Sequence, residues 1–146
     1  MTFNRPIGIA LTAIVCGGWA ASLAAASGEA FKAQLSAVAA DARTRANLAG
    51  SGSASATLNG TKLIINGRFQ GLLSPATKAE LHSGVAAGVR GPTISALSVT
   101  TAEDGMIGGV VDLTPEQLTS LHKGGIYIQI YSQKAPDGVL WGWLLH

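Results

Sequence analysis

Glu80 and His82 stand two residues apart in the stretch Ala79-Glu80-Leu81-His82. Residues i and i+2 of a strand share a face, so on a strand this carboxylate and imidazole would point the same way. Such a pair can offer two ligands to copper or zinc, but a zinc site needs at least three protein ligands. The chain's other two histidines are poor candidates for the third. His122 sits beside Lys123 at the end of a helical pattern, where a cation complements the helix dipole. His146 is the last residue and is expected to be mobile. The plainer reading of Glu80 and His82 is a hydrogen bond on a solvated strand, worth little to stability.

Covalent and cofactor chemistry find no support. The chain has no G-x-S-x-G elbow, H-E-x-x-H helix, phosphate-binding loop or dinucleotide fingerprint. Its one cysteine, Cys16, lies in the amino-terminal leader described below, so the remainder has neither disulfide nor thiolate. The expectation is a non-enzymatic protein without a cofactor.

A second group of residues suits contact rather than catalysis. Both tyrosines, Tyr127 and Tyr131, and two of the three tryptophans, Trp141 and Trp143, fall in the closing segment. Tyr127, Gln129 and Tyr131 share one face of a strand, and Val139, Trp141 and Trp143 share one face of the next. Paired in a hairpin, the two sets form an aromatic strip. Tyr and Trp on a flat face suit a protein interface or a sugar ring. Three outcomes are open: core covered by a loop such as 39–46, a surface for a protein partner or self-association, or a glycan platform.

The elements that must position these residues read as mostly β. Phe31, Ala33, Leu35 and Ala37 alternate with polar residues, as in a half-buried strand. Residues 39–52 read as a loop or short helix, and 53–58 as a weakly alternating strand. Asn59-Gly60 predicts a hairpin turn with both residues at positive φ; Asn59-Gly60-Thr61 also matches a glycosylation sequon but reads as turn. Residues 61–72 form a strand with Leu63, Ile65, Gly67 and Phe69 on one face, and 93–100 and 106–113 supply two more. Residues 74–84 are ambiguous: Ser74-Pro75 and Gly84 frame a capped helix, whereas a strand would place Lys78, Glu80 and His82 on one face. Thr114, Pro115 and Gln117 predict a capping box and Gly124 a helix end. Ile126, Ile128 and Ile130 then alternate through a strand, and Pro136-Asp137-Gly138 turns the chain into the last one. The expected fold is all-β: a single antiparallel β-sandwich or barrel, with one short helix before the closing hairpin.

Composition sets the context. Of 146 residues, Lys and Arg number 10 and Asp and Glu 8. No basic stripe stands out, which argues against nucleic acid as a partner. Residues 1–26 read as a secretory signal peptide: Arg5 for charge, an apolar run from Ile7 to Val15, and Ala24-Ala25-Ala26 as a cleavage site. An uncleaved anchor is the alternative, as is lipidation at Cys16, although the apolar run is short for a span and is broken by Gly17 and Gly18. Cleavage would leave residues 27–146 as one domain, secreted or periplasmic, with no remaining membrane span.

Several segments together resemble the CHRD (chordin-type) domain family. FKAQLSA resembles its opening strand, and GSGSASATLNGTKLIINGRFQGL its second and third. SPATKAELHSGVAAGVRGP is similar to a family segment reading G-P-x-T-A-A-H-I-H-G-P-A. LTPEQLTSLHKGGIYIQIYS and PDGVLWGW resemble its close, L-T-x-x-Q-x-x-x-L-x-x-G-x-Y-V-N-V-H-T and P-x-G-E-I-R-G-Q. The resemblance implies an extracytoplasmic immunoglobulin-like or barrel-like β domain, implies no enzymatic activity, and favours strand for residues 74–84. The departures matter too. The family's H-x-H is Glu80-Leu81-His82 here, and its strand histidine is Tyr131, which removes a third metal ligand. Polar family positions are Val139, Trp141 and Trp143 here. The reading that follows is protein binding or assembly through Tyr127, Gln129, Tyr131, Trp141 and Trp143, with a copper- or zinc-binding β protein using Glu80 and His82 as the alternative.

Overall fold

The computed structural model describes residues 28–146; the expected signal peptide lies outside them. Eight strands follow in chain order: β1 (Glu29–Ala37), β2 (Ser51–Asn59), β3 (Lys62–Gln70), β4 (Ala76–Ser83), β5 (Thr93–Val99), β6 (Gly105–Asp112), β7 (Ile126–Ser132) and β8 (Leu140–Trp143). One α-helix, α1 (Pro115–His122), lies between β6 and β7, and a single 3-10 turn, Arg45–Asn47, lies between β1 and β2. The strands close into a barrel in the order β1-β2-β3-β6-β5-β4-β7-β8, every neighbouring pair antiparallel. The all-β expectation holds, and the sheet is a barrel. Closure gives every strand a neighbour on both sides, although only two rungs each join β5 to β6 and β1 to β8.

Alternation builds the interior. Phe31, Leu35, Leu63, Ile65, Leu81, Ile126, Ile128, Ile130 and Leu140 are all at most 1% exposed and belong to one apolar core. Burying each such side chain contributes about 1.5–3 kcal/mol, so the core sets the register of every strand carrying one. Ala54 and Ala56 fill the same core from β2. Among the described residues no helix is long and apolar enough to cross a membrane.

Residues 76–83 are a strand, β4, paired on both sides by β5 and β7. The local helix signals lose to this pairing and to the burial of Ala76, Ala79 and Leu81. The β2–β3 turn corrects one expectation. Asn59 pairs with Lys62 as the last ladder rung, so the turn residues are Gly60 and Thr61. Gly60 alone has positive φ, +63°, as a turn with glycine at its first central position requires.

Helix α1 has the expected capping box. The Gln117 amide donates to Thr114 Oγ1 at 3.3 Å, and the Thr114 amide donates to Gln117 Oε1 at 2.9 Å. At the far end Gly124, φ +74°, lets Gly124 N donate to Leu121 O and Gly125 N to Ser120 O, the paired bonds of a Schellman ending. The chain then enters β7 directly, so the helix end fixes where the tyrosine strand begins.

Candidate functional site

The expected aromatic residues do come together, on the outer face of β4, β7 and β8. Register dictates the arrangement. His82 pairs with Tyr127 and Tyr127 with Trp143; Glu80 pairs with Gln129 and Gln129 with Trp141; Lys78 pairs with Tyr131. Because Ile126, Ile128 and Ile130 face the barrel interior, the intervening residues must face out. The rings pack on one another: Tyr127 to Trp143 at 5.1 Å between centroids, and Trp141 to Trp143 at 4.8 Å with a 62° tilt.

This outer face is largely covered. Tyr127 is 1% exposed, Gln129 2%, Tyr131 8% and His82 7%, while Trp141 and Trp143 are partly exposed. The cover comes from the β4–β5 connection, residues 84–92. Arg90 places its guanidinium 4.7 Å from the centre of the Trp141 ring. Gly91 donates its amide to Tyr127 Oη at 3.2 Å, and its carbonyl accepts from that hydroxyl at 3.3 Å. Residues 39–46, the cover suggested by sequence, have no part in these contacts. The β7–β8 connection holds the other end: Gln129 Nε2 donates to Asp137 O at 3.0 Å. Gly138 there has φ +121°, and a Cβ on it would lie 2.2 Å from Gln129 Nε2.

Val139 departs from the expected strip. It precedes β8, is fully buried and belongs to the main core. The strip on β8 is therefore Trp141 and Trp143, with Gly142 between them facing inward against Leu35 and the Gln34 carbonyl.

The Glu80–His82 pair is a brace with His82 buried and Glu80 partly so, and its geometry does not support a metal site. His82 Nδ1 lies 3.1 Å from Gly91 O; a carbonyl only accepts, so Nδ1 carries a hydrogen. His82 Nε2 lies 3.1 Å from Tyr131 Oη and 3.5 Å from Glu80 Oε2. Both ring nitrogens are thus engaged by protein. Among the described residues no three His, Cys, Asp or Glu side chains stand where they could hold a metal ion. The expectation of a solvated pair also fails, because the loop over the face takes His82 out of water.

Charge is balanced inside this brace. Burial pushes the Tyr131 hydroxyl up, well above its ordinary range, and its bond to Glu80 pushes it further. Burial also works to raise Glu80, but hydrogen bonds from Tyr131 and from Lys78, 3.2 Å away, leave its carboxyl below the usual value. The Lys78 ammonium also sits 4.2 Å from the centre of the Tyr131 ring.

Sequence reasoning missed a second cluster. Glu29 receives His122 Nε2 at 2.9 Å on one oxygen and His146 Nε2 at 2.7 Å on the other. The His146 ring packs 4.3 Å from that of Phe31. His146 is therefore docked, contrary to the expectation of mobility, because the pairing of Lys32 with Leu145 carries it to the start of β1. No local signal predicts this. It depends on the closure that sets the first and last strands side by side.

The CHRD domain model matches residues 31–144, which run from β1 through β8. The chain belongs to the CHRD domain family. Comparison with curated proteins and with solved structures gave no match. The family's resemblance to this chain thus extends over the whole barrel, and the outer aromatic face is where this CHRD domain departs from the pattern quoted above.

Proposed function

We propose that this CHRD domain is an exported, non-enzymatic module that binds protein or self-associates outside the cytoplasm, through the edge formed by Trp141 and Trp143. The observation that carries the reading is the contrast within one face. Tyr127, Gln129 and Tyr131 are buried as support, while the two tryptophans beside them keep part of their surface in water. Large aromatic side chains held rigidly at a surface suit interface anchors. Pre-packing lowers the ordering cost of binding. Export rests on the leader pattern of residues 1–26.

Light scattering over a range of concentrations tests the reading. The protein should gain mass as concentration rises. The double replacement Trp141→Ser and Trp143→Ser should abolish that gain while keeping the β circular-dichroism signal. A protein that stays monomeric at every concentration removes self-association. Loss of the β signal in the double variant shows that the rings serve as core instead.

A further inference from the structure

A second face of the barrel carries an open trough that shares Trp143, but not Trp141, with the face described above. On β2 the outward positions Ser53 and Ser55 are small, while the strands on either side carry long side chains. Register sets these in rows. Gln34 pairs with Ser53, and Ser53 with Arg68; Lys32 pairs with Ser55, and Ser55 with Asn66. The result is an open trough of about 1290 Å³ with a serine floor, walled by β1 on one side and β3 on the other. The register that pairs Ser36 with Trp141 and Lys32 with Leu145 sets Trp143 beside Gln34, and Trp143 lines the trough at that side.

The chemistry of the trough narrows its occupant. Lys32 and Arg68 are exposed and form no ion pair among the described residues. The acid nearby, Asp104, is turned to the Gly71 amide at 2.6 Å. Lys32 and Arg68 against Asp104 leave the side chains that line the trough with a net positive charge. An extended peptide normally recognises a sheet by joining a free strand edge. Here both edges of β1, β2 and β3 are already paired, so only side chains can read the ligand. Hydroxyls, amides, two cations and an indole at the margin match a polyhydroxylated chain bearing carboxylates.

We infer that the serine-floored trough between β1 and β3 binds an acidic polysaccharide, with Lys32 and Arg68 meeting its carboxylates, Ser53, Ser55 and Asn66 its hydroxyls, and Trp143 a sugar face.

The test is calorimetric titration of the purified protein with soluble polygalacturonate, with neutral dextran and polyglutamate in parallel. Polygalacturonate should bind and weaken with added salt. Lys32→Ser and Arg68→Ser should each lower affinity about tenfold, as loss of one charge-assisted contact implies. Ser53→Trp should block the floor, with the β circular-dichroism signal unchanged. Trp141→Ser, outside the trough, should leave this binding intact whatever it does to self-association. Absence of polygalacturonate binding overturns the inference, as does affinity unchanged in the Lys32 and Arg68 variants. Equal affinity for polyglutamate overturns the sugar assignment, and equal affinity for dextran overturns the acidic one.

Discussion

The imidazole of His82 lies flat against the phenol of Tyr127, with 4.8 Å between centroids and 10° between planes. The two residues are rung partners on β4 and β7, and both reach the same backbone unit, Gly91. The stack therefore ties the barrel wall to the loop that covers it. Removing either ring should loosen the cover before it harms the barrel, whose core lies on the opposite face of β7.

Tyr131→Phe tests the polar half of that brace. It keeps the ring and removes the hydroxyl that meets His82 Nε2 and lowers Glu80. Leaving buried polar groups unpaired costs about 1–3 kcal/mol. Urea unfolding should show a lower midpoint with an unchanged slope. A midpoint equal to that of the parent would mean the hydroxyl contributes nothing.

Arg90→Ala tests the cover itself. A cation over an indole contributes about 0.5–1 kcal/mol at exposed sites. Global stability should fall by no more than that, while amide exchange at residues 84–92 should quicken. Exchange that stays as slow as in the parent would show that Gly91 alone fastens the loop.

The β7–β8 connection offers a sharper test. Gly138→Ala should destabilise by more than 1 kcal/mol, a rough lower bound where φ is positive. The new methyl also meets the Gln129 amide, whose own bond holds Asp137. Thermal unfolding should fall by several degrees, and a Gln129→Ala background should recover part of the loss. A Gly138→Ala protein as stable as the parent would refute the clash.

The Glu29 clasp predicts a pH dependence. Its hydrogen bond to His122 holds the Glu29 carboxyl below the usual 4.5, and the same bond raises His122 above 6.5. A lowered acid contributes above its unfolded pKa and is lost as pH falls through the folded one. A raised histidine contributes below its unfolded pKa and is lost as pH rises through the folded one. The clasp should therefore be fully formed between the two reference values and fade outside them. NMR titration of the His122 ring should show the raised midpoint, which Glu29→Gln should return toward the ordinary range. An unchanged midpoint in that variant would disprove the contact.

Much of this was legible in the chain because it is local. The Thr114–Gln117 box, the Gly124 ending and the alternation of Ile126, Ile128 and Ile130 each depend on neighbours a few residues apart. What could not be read depends on distant partners. The pairing of Tyr127 with Trp143 is implied by a hairpin, but its burial requires Gly91, from a connection with no aromatic or charged signature except Arg90. Counting in twos puts Val139 on the strip, and the count fails because β8 begins one residue later. Glu29 and His146 meet only once the barrel closes. The trough follows the same logic: Ser53 and Ser55 are ordinary strand residues until β1 and β3 stand beside them.

The pairing of Lys32 with Leu145 brings together nearly the full length of the described chain, and only two rungs join β1 to β8 within the strands. A contact so far apart in sequence is among the last to be rewarded during folding. Until the final strand arrives, β1 and β7 each present an unpaired edge, so a chain still without β8 in place is an unfinished sheet. A barrel locked by its last strand stays pliable until β8 docks, a property that fits the export proposed above.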